Sequence, residues 1–151
     1  AYHFVMSAGT KQVLAMTAGG IFGAICLVGM VLLIRRRIFD ARIKATSQAA
    51  DLPILLVLFV QLVLGLLTIP YSAQHLDGSS MIALANWAQH VVTFRGGAAA
   101  FVAGEAWVFK AHLFLGMTIF LLFPFTRLVH VWSVPIQYLS RSGYQIVRKR
   151  A

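Results

Sequence analysis

Acidic residues are almost missing from this chain: four Asp and Glu stand against thirteen Lys and Arg, for a formal net charge of +9. Charge of either sign is scarce, at 11% of the 151 residues, where a soluble domain carries about 25%. With 60% hydrophobic residues and a mean hydropathy of +0.81, that scarcity excludes a water-soluble globular domain and points to an integral membrane protein. The single cysteine, Cys26, lies in an apolar run; it excludes an intrachain disulfide and reads as a packing residue. The basic excess does not indicate nucleic acid, because the cations flank the apolar runs. The chain opens AYHFVMSAGT, without an initiator Met or a basic region before a short apolar core. No signal peptide is expected, and the chain reads as the C-terminal part of a longer one.

Long apolar runs are what the sequence does have. Residues 11–34 are long enough for a transmembrane helix. Gly19, Gly20, Gly23 and Ala24 fall at helical spacing there and would let a neighbouring helix approach closely, although glycine is common in membrane helices in any case. The loop 35–51 carries Arg35, Arg36, Arg37, Arg42 and Lys44, which assigns it to the cytoplasm and would attract anionic lipid headgroups or an acidic partner. A second span covers 52–69, with Asp51 as N-cap, Pro53 in the first turn and Pro70 closing the helix. Gln61 sits mid-span, suited to an interhelical hydrogen bond or to a cofactor contact. Residues 70–105 form an outer segment whose apolar positions predict a short amphipathic helix over 80–94. Asp77 and Ser79 are its candidate caps, Trp87 is an interfacial anchor, and Gly96 and Gly97 mark a break. The third span runs over 106–132, with Pro124 expected to kink it. The tail 133–151 holds Arg141, Arg148, Lys149 and Arg150, again a cytoplasmic signature. The fold class is therefore all-α: one membrane domain of three transmembrane helices with a short outer helix, its amino end outside and its carboxyl end inside.

The third span holds two histidines, His112 and His130, 18 residues apart. At about 100° per residue that spacing makes five whole turns, so a continuous helix puts both imidazoles on one face, about 27 Å apart. The separation nearly matches the roughly 30 Å hydrocarbon thickness. Neutral imidazole is a good iron ligand, and one at each end of a span suggests two haems stacked across the membrane. The alternative is a pair of interfacial histidines with satisfied hydrogen bonds. Arg127, one turn before His130, could neutralise a haem propionate or snorkel to the cytoplasmic boundary.

The stretches KQVLAM, RRRIFDARIKAT, GLLTIPYSAQHLDGS, WAQHVVTFRGGA and HLFLGMTIFLLFPFTRLVHVWSVPIQYL resemble the gamma subunit of membrane-bound respiratory nitrate reductase. The resemblance covers essentially the whole chain. It implies a cytochrome b of five membrane helices in the bacterial inner membrane, of which this chain is the last three. It implies two b-type haems, with His112 ligating the one nearer the outer face and His130 the one nearer the cytoplasm. The second ligand of each would come from an upstream helix. His3, His75 and His90 are expected not to bind iron. Lys11 matches a lysine near the quinol pocket, where an ammonium could hydrogen-bond a quinone oxygen; otherwise it anchors the interface. Quinol would be the electron donor. An iron–sulfur beta subunit and a molybdenum alpha subunit would be the partners that carry electrons on to nitrate. A dihaem anchor of another complex, such as a sulfur-metabolising one, or a non-redox membrane scaffold are the competing readings.

Overall fold

A computed structural model of the chain describes residues 7–46, 50–74, 76–126 and 128–129. Among them are six α-helices and one 3-10 turn, with no strand. Helix α1 (Ala8–Phe39) starts where the Ser7 hydroxyl accepts the Thr10 N–H at 3.2 Å, satisfying one of the donors a helix start leaves free. Its 32 residues span about 48 Å, more than the hydrocarbon layer needs. The last turn therefore carries Arg36 and Arg37 beyond the apolar part, where cations favour the helix C-terminus. Asp40 then leaves the helix in an extended conformation and accepts the Arg42 N–H at 3.0 Å, opening the short α2 (Ala41–Thr46).

Helix α3 (Asp51–Ser72) lies between α1 and α6 (Trp107–Leu122) and packs on both. Asp51 is not the N-cap: it is already helical, Ala50 holds the cap position, and the buried Asp51 carboxylate pairs with Arg37. The pair ties the last turn of α1 to the first turn of α3. At the other end α3 runs two residues past Pro70, which removes only its own N–H from the final turn. The Ser72 carbonyl, one of the orphans of a helix end, accepts the Gln12 amide at 2.8 Å. Each end of the α1–α3 pair thus has a polar tie.

Between these ties the two helices approach most closely at one glycine. A Cβ at Gly23 would lie 2.6 Å from Leu66 Cδ2. Of the small residues expected to share this face, Gly20 has ordinary clearance from Ile69, Gly19 has no neighbour in reach and Ala24 is exposed. Away from the packed faces the spans carry large exposed apolar side chains: Phe22 is 70% exposed and Phe120 77%, as befits helices whose solvent is lipid.

The segment between α3 and α6 carries α4 (Ser79–Val92) and α5 (Ala98–Val102), packed against each other. Neither Asp77 nor Ser79 is the N-cap of α4, a position held by Gly78; Asp77, one residue before it, accepts both the Ser79 N–H at 3.1 Å and its hydroxyl at 2.7 Å. Gly78 precedes it at φ +83°, and a Cβ there would meet Ala8 at 2.7 Å, so conformation and space both demand glycine. Ser80 donates to Glu105 at 3.1 Å, and Lys110 Nζ to the Ala103 carbonyl at 2.7 Å. These bonds hold the segment to the start of α6.

The third span departs from expectation. It does not run as one helix to residue 132: α6 stops at Leu122, Phe123–Phe125 form a 3-10 turn around Pro124, and Thr126 is extended. Proline removes a donor and clashes with the preceding turn, which ends the α-helix here rather than kinking it. The continuous rotation from His112 to His130 does not hold across this break. His130, Arg127, His3, His75 and the tail 133–151 lie outside the described residues.

These contacts make a graded prediction. Gly23→Ala should be mild, since the Leu66 side chain can rotate away, whereas Gly23→Leu should cost about 1–3 kcal/mol by overpacking. Gly78→Ala should cost about 1–2 kcal/mol for its left-handed backbone alone. Reversible unfolding in mixed micelles would rank the three.

Candidate functional site

The polar centre of the bundle is where α3 and α6 cross. His112 projects from α6 toward α3, and its Nε2 lies 3.4 Å from the Gln61 amide nitrogen. Two glycines make the approach possible. A Cβ at Gly65 would come within 3.0 Å of the imidazole Cε1, and a Cβ at Gly116 within 3.1 Å of the Gln61 amide. Gly65 lies four residues after Gln61, and Gly116 four after His112. That is one helical turn, so each helix presents a polar side chain and, on the same face, a socket for its partner's. The mid-span Gln61 thus makes the interhelical contact that its position suggested.

The pairing is incomplete. His112 Nδ1 and Gln61 Oε1 are both buried without a hydrogen-bond partner. Such atoms are costly in an apolar interior and call for an explanation, an unseen ligand among them. Beside them a cleft of about 800 Å³ runs between α1, α3, α4 and α6, within the roughly 300–1,000 Å³ of cofactor and small-molecule sites. Gln12, near the start of α1, marks one end and Met30 the other, with Met81 and Leu84 contributing from α4. Gly19 and Gly23 flatten the α1 wall. The lining is overwhelmingly apolar, with His112 and Gln61 among its few polar groups. Among the described residues no group of three or more His, Cys, Asp or Glu is placed to cage a metal ion. Among the residues that line the cleft, His112 supplies the imidazole.

The other predicted site residues are placed as follows. Lys11 is half-buried on the first turn of α1, and its neighbour Gln12, not Lys11 itself, lines the cleft. His90 has Nδ1 2.9 Å from the Asn86 carbonyl and its ring 4.6 Å from that of Phe101, where α4 meets α5. His130 and Arg127 fall outside the described residues, as noted above. Sequence reasoning missed the Gln12–Ser72 tie and the two sockets. The signal for the sockets was there, as a glycine four residues after each intramembrane polar residue.

Comparison with known proteins adds an independent line. The model of the family described as "Nitrate reductase gamma subunit" matches residues 1–150. The chain is 59% identical to the respiratory nitrate reductase 1 gamma chain of Escherichia coli K12 over 140 residues, 93% of this chain and 62% of that protein. It is 53% identical to the respiratory nitrate reductase 2 gamma chain of the same organism, over 99% of this chain and 66% of the relative. It is 36% identical to the nitrate reductase gamma chain of Bacillus subtilis 168, over 91% of this chain and 61% of the relative. The chain thus spans slightly under two thirds of the length of these relatives. With three helices long and apolar enough to cross a membrane, a polar crossing at their centre and this match over nearly every residue, the chain belongs to the nitrate reductase gamma subunit family.

Proposed function

We propose that this chain is part of the haem b-bearing, quinol-oxidising membrane subunit of a respiratory nitrate reductase in a bacterial inner membrane. The observation that carries the reading is the buried, unpartnered imidazole nitrogen of His112 beside a large apolar cleft, in a member of this family. In lipid such a group is expensive and is normally kept for a task.

His112 would hold the iron of the haem nearer the outer face, and His130 that of the haem nearer the cytoplasm. When bound, haem b supplies one-electron transfer. Each iron needs a second imidazole, which would come from the portion of the relatives' length that this chain does not span. Met16, Leu62 and Leu66 on the cleft walls would keep water away from the bound group and so tune its potential. Lys11, at the outer end of α1, would hydrogen-bond a quinol oxygen, so that two protons leave on the outer side while the electrons cross. Arg127 would neutralise a haem propionate. The basic end of α1, with Arg35 and Arg36, fits the cytoplasmic side, where an iron–sulfur beta subunit and a molybdenum alpha subunit would take the electrons to nitrate.

In the full-length subunit assembled with its partners, His112→Ala should abolish the absorption of one haem and leave the other. His112→Ala together with His130→Ala should leave none, and full haem content in that double variant would refute the reading. Lys11→Ala should weaken quinol use, seen as a raised KM for a quinol analogue with both haems still present. An unchanged KM would return Lys11 to an anchoring role.

A further inference from the structure

A side chain holds a ligand only as steadily as the backbone beneath it stands. Lys11 lies on the first turn of α1, where its N–H donates to the Ser7 carbonyl at 3.1 Å. That turn is fixed from two directions. On one side it seats against the turn 76–78, between α3 and α4. A Cβ at Gly78 would lie 2.7 Å from the Ala8 Cβ and 3.0 Å from the Gly9 nitrogen. The fit is reciprocal, since a Cβ at Gly9 would lie 2.9 Å from the Leu76 carbonyl oxygen. On the other side the Gln12 amide donates to the Ser72 carbonyl at 2.8 Å and to its hydroxyl at 2.9 Å. Lys11 follows the first set of contacts and immediately precedes the second.

We infer that Gly78, facing Gly9 across this contact, is a positioning residue that sets where Lys11 stands at the Gln12 end of the cleft, and thereby how tightly a quinol head group is held. The groups pressed together are main-chain atoms and a Cβ, which have no rotamer to escape into. Any side chain added at either glycine therefore moves the first turn of α1 bodily, unlike the flexible Leu66 over Gly23. Gly9 supports the point independently. It lies inside α1, where alanine is intrinsically the better helix former, so its place there follows from the close approach to Leu76. The assignment rests on the quinol reading of Lys11 above.

The test uses the full-length subunit assembled with its partner subunits, in native membranes, with tetramethyl-benzoquinol as the electron donor. Gly78→Ala and Gly9→Ala would each be made in the wild-type chain and again on Lys11→Ala. In the wild-type chain each should raise KM by about 2-fold or more, as expected of residues coupled through a backbone shift, with kcat and the content of both haems kept. On Lys11→Ala they should add nothing to KM, because the displaced ammonium is already gone. A wild-type KM in both glycine variants overturns the assignment. So does a rise of equal size with and without Lys11, the additive pattern of a merely structural change. Should Gly78→Ala fail to assemble, Gly9→Ala, whose backbone is helical, decides on the same two criteria. A wild-type KM in Lys11→Ala alone would instead overturn the quinol reading of Lys11.

Discussion

Lipid offers membrane helices no hydrophobic reason to leave it for one another, so what draws them together is close fit and the few polar contacts they share. In this bundle the fit takes one form repeatedly: a side chain of one segment occupies the room a glycine leaves on the next. Leu66 fills it at Gly23, Gln61 at Gly116, the His112 ring at Gly65, and Ala8 beneath Gly78. The central position of α3 follows, since it contributes to the first three of these contacts. The polar ties between Gln12 and Ser72 and between Arg37 and Asp51 then set its register against α1 at both ends.

The exchange between α3 and α6 differs from the others in burying polarity. An imidazole and an amide cost more to bury than a leucine, and each here keeps one atom unsatisfied. A purely structural crossing would be firmer with apolar side chains on both helices. The crossing is polar all the same, and it opens on an apolar cleft. His112, Gln61, Gly65 and Gly116 are packed so closely that altering one disturbs the others.

Much of this was legible in the sequence, and what was not has identifiable physical causes. The three spans and the amphipathic helix between the second and third follow from apolar run length and periodicity, which reflect the solvent each segment meets. Their ends follow from partners distant in sequence. Asp51 reads as a cap until Arg37 is seen beside it, and Pro70 reads as a stop although only its own hydrogen bond is lost. Gln61 was legible as a polar residue in an apolar span, but its partner His112 is 51 residues away, and only the antiparallel register of α3 and α6 joins them. The alignment of His112 with His130 assumed an unbroken helix, and the Phe123–Phe125 turn shows why spacing arithmetic stops at a proline.

That turn has a mechanical consequence. An unbroken α-helix behaves as a shaft, and torque applied at one end reaches the other. Here the shaft is cut after Leu122, and Thr126 is extended. The ladder of hydrogen bonds that would carry rotation along the span toward His112, ten residues before Leu122, ends at that joint. The direction in which that imidazole leaves α6 is then set by its contacts with α3.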